Sequence, residues 1–248
     1  MKPGLFNLSA AVLAPSALLT AHCNAPRPGP AASQPAAATR PAPRVVDYQP
    51  GIRIDYRVPQ VEVAGKVILR EGELELFAYS KAPVPKEHET VLLLTARPEF
   101  IYQALGLIGL KPGRPMSYDW ETQVTTPPSG DPVDVLVSYV ADGKHVEQPA
   151  CEWMWDLGRR APMRPTHWLF TGSRRSSDGR FTADVEGTVV TVVNFDTAVL
   201  SLPESHSESN AELWLSARTA VIPPVGTAVT LILRPAAHAI GAARASRP

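Results

Sequence analysis

The densest ionisable run in the chain is Lys86-Glu87-His88-Glu89. An imidazole beside a carboxylate can serve as a general base and its orienter. The same two side chains, His88 and Glu89, can supply two metal ligands, with Asp131 or another histidine as the third. An extended backbone would put Lys86 and His88 on one face, with Glu87 and Glu89 on the other. No HExxH or comparable spacing selects either chemistry, so a metal is left unspecified. The plainer alternative has His88 and Glu89 hydrogen-bonding within a sheet or loop while Lys86 stays solvated.

Other reactive side chains stand in weaker patterns. Ser173 follows Phe170-Thr171-Gly172 and precedes Arg174-Arg175. A nucleophile elbow needs Gly-x-Ser-x-Gly between strand and helix, so turn chemistry is the expectation for Ser173. Arg174 and Arg175 could hold an anion bidentately, or could sit in a solvated loop with Ser176 to Gly179. Cys151 lies near Trp153 and reads as a small buried residue, not a reactive thiol. The five tryptophans could line a carbohydrate or peptide groove, although aromatic side chains more often fill cores. Trp153 and Trp168 fall at core spacing, and Trp155 is the one offset toward solvent. His206, in the polar run Glu204 to Asn210, reads as a mobile loop residue.

These residues need elements to position them. Ile52, Ile54, Tyr56 and Val58 alternate with polar residues at the period of a half-buried strand. Val67–Leu69 and Leu74–Tyr79 flank Glu71-Gly72 and read as a hairpin. Thr90–Thr95 is a short apolar strand expected at the centre of a sheet. Val133, Val135, Val137 and Tyr139 alternate up to Asp142-Gly143, a two-residue hairpin turn, and Lys144–Glu147 returns. Further strands are expected at 167–171, 188–195, 198–202 and 228–233. Pro98 can open a helix whose apolar face is Ile101, Ala104, Leu105 and Ile108, and Gly109, Pro112 and Gly113 stop it. Pro149–Leu157 carries a second helical spacing, with a strand over Cys151–Trp155 as the alternative. The expected fold class is α+β, mainly β: an antiparallel-rich sheet, open barrel or sandwich with one or two short helices. No strand–helix–strand alternation runs through the chain, which argues against a doubly wound nucleotide fold.

Composition narrows the function. The chain carries 24 Lys+Arg against 24 Asp+Glu and two cysteines in 248 residues. Zero net charge leaves no electrostatic footprint for nucleic acid. Two cysteines frame neither a disulfide scaffold, a four-thiolate zinc site nor an iron–sulfur cluster. Charge is unevenly spread: the first 44 residues hold Lys2, Arg27, Arg40 and Arg44 and no acid, which leaves 20 basic against 24 acidic residues beyond them.

That leader reads as an address. Residues 1–25 combine Lys2 with an apolar run from Leu5 to Ala21, the pattern of a secretory signal, and Pro15 interrupts a run already short for a membrane span. Leu19-Thr20-Ala21-His22-Cys23 is similar to a bacterial lipobox, in which Cys23 would be lipidated. The match departs at His22, where a small residue is usual, and at Leu19, which stands one place too early. Lipoprotein and free periplasmic protein both stay open, and a lipid would be the only membrane attachment. Residues 26–44 are rich in Pro and Ala and read as an extended spacer. One domain is expected over 45–235, followed by a flexible tail over 236–248.

The order of landmarks also resembles a known domain. Lys86-Glu87-His88-Glu89 leads into an apolar strand. PEFIYQALGLIGLKPG over 98–113 follows, then Gly130-Asp131-Pro132-Val133, then Trp168-Leu169-Phe170-Thr171-Gly172-Ser173. Ile222-Pro223-Pro224 and Gly226-Thr227-Ala228-Val229 close the series. This series resembles the YdjY-type domain found in envelope proteins of planctomycete-like bacteria, over about Val61 to Pro235. The resemblance names a domain without an assigned activity. Some relatives are described as ferredoxin-like with a cysteine-rich cluster; this chain lacks those cysteines, so iron–sulfur function does not carry over, and no cofactor is expected. The resulting expectation is an exported envelope module that binds a protein or a cell-wall component. The alternative is a metal-dependent or acid–base enzyme centred on Lys86, His88 and Glu89.

Overall fold

The computed structural model describes residues 44–206 and 212–236. The signal, Cys23, the spacer up to residue 43 and the tail from residue 237 lie outside the described residues.

The chain opens with β1 (Val45–Gln49), β2 (Ile52–Asp55) and β3 (Gln60–Val67). β4 (Leu76–Ser80) and β5 (Thr90–Leu94) follow, with a 3-10 turn at Glu87–Glu89 before β5. α1 (Pro98–Leu107) leads into four short strands: β6 (Pro112–Arg114), β7 (Ser117–Asp119), β8 (Val124–Thr126) and β9 (Ser129–Gly130). β10 (Pro132–Ala141) and β11 (Lys144–Pro149) precede a 3-10 turn at Ala150–Trp153, then β12 (Met154–Asp156), β13 (Ala161–Pro162) and β14 (Trp168–Phe170). α2 (Thr182–Glu186), β15 (Thr188–Thr191), β16 (Leu200–Ser201), β17 (Leu215–Ala217) and β18 (Ala228–Pro235) complete the series.

Eight of these strands close into a barrel-like ring in the order β3, β18, β10, β14, β16, β15, β4, β5 and back to β3. Closure removes the free edges that an open sheet would present. Its pairs are antiparallel except β4 with β5 and β15 with β16. β1 and β2 extend the wall from the first half of β3, and β11 extends it from the far end of β10. The barrel interior is set by period-two alternation. Val61 and Val63 of β3 face Leu233 and Leu231 of β18, which in turn face Val135 and Val137 of β10. All six are buried. Each such side chain contributes roughly 1.5–3 kcal/mol by leaving water.

α1 packs on this core, because Ile101, Ala104 and Leu105 fall on one face and are fully buried. Pro98 stands at its first turn, where its missing N–H costs nothing. Tyr102 sets its ring 5.4 Å from both Phe170 and Phe181, tying α1 to the end of β14 and to the start of α2. The β10–β11 hairpin turns through Asp142 at φ 50° and Gly143 at φ 72°, as Asp-Gly predicts.

Several local expectations are corrected. Glu71-Gly72 does not turn a hairpin, since β3 and β4 are not paired with each other: β3 lies beside β2, β5 and β18, and β4 lies parallel to β5. Residues 72–74 instead join β17, through Ala217 N–H to the Gly72 carbonyl at 2.8 Å and Leu74 N–H to the Leu215 carbonyl at 2.9 Å. The strand from Ile52 stops at Asp55, whose carboxylate accepts the Arg57 N–H at 2.8 Å and turns the chain, so Tyr56 and Val58 are exposed. Residues 149–157 divide into a 3-10 turn and β12, combining both alternatives.

Candidate functional site

Lys86, His88 and Glu89 do not form an extended run. A 3-10 turn has three residues per turn, so it aligns Lys86 with Glu89 and turns His88 away. Lys86 Nζ donates to Glu89 Oε1 at 3.1 Å and stands 3.6 Å from Glu75 Oε2. It also sits 4.7 Å over the Phe195 ring. Lys86, Glu75 and Glu89 are largely buried, whereas 78% of the His88 side chain is exposed. Beneath them lies a small apolar cluster of Leu76, Tyr79, Val193, Phe195 and Ala198, separate from the main core. Burial pushes the Lys86 ammonium toward its neutral form. The Glu89 hydrogen bond and the charges of Glu89, Glu75 and Glu186 outweigh that, and its pKa stands above the ordinary lysine value. A cation held in this way is a poor proton donor near neutral pH. The expectation of a solvated Lys86 is therefore replaced by a buried cation that closes the secondary cluster.

His88 Nε2 stands 3.5 Å from Glu89 Oε2, too long for a strong hydrogen bond and on a carboxylate already held by Lys86. Among the described residues, no three of His, Cys, Asp and Glu gather in a metal-holding group. Asp131 is not brought to His88 in such a group. It stands just before β10, where its Oδ2 accepts the Lys111 N–H at 2.8 Å and its carbonyl accepts the Phe170 N–H at 2.9 Å.

Ser173 performs turn chemistry. Its φ is +58°, and its hydroxyl donates to the Thr197 carbonyl at 2.7 Å while accepting the Ala183 N–H of α2 at 3.2 Å. Arg174 reaches Asp196 at 2.9 Å in an exposed pair. Cys151 is a free, buried thiol, and burial pushes its pKa up, away from reactivity. His206 differs from the sequence expectation. It stacks on Trp214 at 4.0 Å, and its carbonyl accepts the Asn194 N–H at 2.9 Å. Trp155 is half-buried, and the exposed tryptophan is Trp120.

The structure adds three features. Arg97 Nε donates to Asp184 Oδ2 at 3.0 Å, and Asp184 Oδ1 accepts the Glu99 N–H at 2.9 Å in the first turn of α1. Asp184 thus fills the anion position that a helix N-terminus offers. With Arg175, which donates to Glu99 at 2.7 Å, these residues line a concavity of about 330 Å³. A larger, open concavity of about 640 Å³ lies by the β1–β2 hairpin, lined by Tyr48, Gly51, Arg53, Glu62, Ala64 and Thr230. Its Arg53 and Glu62 are paired across β2 and β3 at 2.8 Å. The third feature is the β7–β8 ribbon, exposed along almost its whole length, with Trp120 at its tip. Tyr118 and Trp120 two residues apart in the polar run SYDWETQVTT were the available signal for it. The Arg97–Asp184 pairing joins residues far apart in sequence and left no such signal.

A family model described as YdjY domain matches residues 52–234, well over half of the chain. No curated protein and no solved structure matches.

Proposed function

The chain belongs to the YdjY domain family, and we propose that this member is an exported, envelope-associated module that binds a protein or a cell-wall component without turning it over. The observation that supports this reading is the engagement of the groups best suited to chemistry. Lys86 and Glu89 bond each other, Asp131 holds a backbone N–H, and Ser173 braces α2. A nucleophile or general base must be within reach of a substrate, and these groups face their own chain. The export part rests on the apolar leader and the Pro/Ala spacer of residues 1–44.

Three measurements test it. Residues 1–44 fused to alkaline phosphatase, which is active only after export, give an active reporter; an inactive fusion in the native host overturns the address. Fatty-acid labelling of the wild type against Cys23→Ser then decides between a lipid anchor and a free periplasmic protein. For binding, the purified protein sediments saturably with native envelope fragments, and His88→Ala leaves that binding unchanged.

A further inference from the structure

The β7–β8 ribbon carries an aromatic surface that the fold leaves in water. Trp120 is 84% exposed, and Tyr118 and Val124 are exposed beside it. An unburied tryptophan side chain forgoes a large share of the free energy that burial supplies. The ribbon's turn is nevertheless closed by its own contacts. Tyr118 and Trp120 pack edge to face with centroids 4.6 Å apart. Asp119 Oδ1 accepts the Glu121 N–H at 2.9 Å and the Thr122 N–H at 3.2 Å, and Gln123 closes the turn at φ +55°. At its base, β6 pairs with β9, and Gly130 runs so close to Phe170 that an added Cβ would lie 2.0 Å from the Phe170 carbonyl oxygen. A preorganised aromatic side chain loses little entropy when a ligand docks.

We propose that the ribbon tip is a glycan-binding site, with Trp120 as the stacking platform for an uncharged or N-acetylated sugar ring. The apolar C–H face of a pyranose suits the electron-rich face of an indole. Two observations favour this ligand class. The first is area: tryptophan and tyrosine bury about 150–250 Å² each, and a specific protein interface needs about 800 Å² per partner. The ribbon tip falls short of that, whereas one sugar ring needs one aromatic face. The second is charge. The tip holds Asp119 and Glu121, and no Lys or Arg lies between Arg114 and Lys144. It therefore repels anionic lipid and anionic polymers. Glu121, Thr122, Gln123 and Thr125 are side chains of the kind that hydrogen-bond sugar hydroxyls. This inference rests on the binding-module reading and gives its cell-wall component a chemical class.

The test uses the full chain and tetra-N-acetylchitotetraose as the probe, read by the backbone amide resonances of the ribbon together with the five tryptophan indole N–H resonances. One indole resonance and the ribbon amides shift saturably at millimolar sugar, and Trp120→Ala abolishes the amide shifts at unchanged melting temperature. Trp120→Phe retains weakened amide shifts. Absence of a saturable response at about 10 mM sugar overturns the assignment. So does a Trp120-dependent response to phosphatidylcholine vesicles or to oligolysine in place of the sugar. If the sugar fails while the protein still sediments with envelope fragments, the ribbon assignment falls and the binding-module reading stands. If both fail, both fall.

Discussion

Lys86 and His88 stand two residues apart and have opposite surroundings. Lys86 lies between Glu89 and Glu75 above Phe195, whereas the His88 ring is open to solvent. Lys86→Met takes away the cation between two largely buried carboxylates and is expected to cost about 1–3 kcal/mol in urea unfolding. His88→Ala is expected to stay within about 0.5 kcal/mol. Equal, small effects from both would return the cluster to the surface and reopen it as a reactive site. Asp55 provides a pH test. The Arg57 side-chain hydrogen bond holds its carboxyl down to about 2 from the ordinary 3.8, against burial, with the Arg57 N–H assisting. The folded value lies below the unfolded one, so this stabilisation is fully present above the ordinary value and is lost as pH falls through about 2. The stability difference between wild type and Asp55→Asn is therefore expected in full at pH 5, mostly lost by pH 2 and absent well below it. The identity of the reactive run was legible in the sequence. Its role was not, because Glu75 and Phe195 reach it only through the fold.

Two elements with strong local signals came out as their patterns required. Pro98, the 3.6-residue apolar spacing and the glycine stop specified α1, and Asp142-Gly143 specified the β10–β11 turn. Glu71-Gly72 carried a similar turn signal and failed, because residues 72–74 found better partners in β17, more than 140 positions away in the chain. A dipeptide can favour a turn, but pairing with a distant strand can override it. The two glycines that matter most here differ in kind. Gly143 sits at positive φ with open space around it, so Gly143→Ala is expected to cost about 1 kcal/mol. Gly130 sits at φ +145° with the Phe170 carbonyl where a Cβ would go, so Gly130→Ala is expected to cost about 2–4 kcal/mol. It is also expected to weaken the ribbon's sugar response, since the ribbon base is held there. Thermal melts of the two variants check the ranking; a Gly143 loss equal to or above the Gly130 loss would remove the close-approach argument.

For the whole molecule, ring closure decides what is available for function. β3 pairs with β18 on one side and divides its other side between β2 and β5, so the barrel shuts while the β1–β2 hairpin stands outside it. That division creates the concavity of about 640 Å³ beside the hairpin, and no alternation pattern encodes it, because it depends on where one strand hands over to another. Under the proposed binding role, recognition falls to the outer surfaces, the concave sheet face and the aromatic ribbon, because the core is closed, Lys86 is a buried cation and Ser173 braces α2. The most direct test of that account is sedimentation of the purified protein with native envelope fragments across a concentration series, for wild type and His88→Ala side by side. The account predicts one saturable isotherm shared by both proteins, with no fragment consumed or altered. Failure of the wild type to sediment at any concentration, or chemical change of the fragments that His88→Ala abolishes, would contradict it.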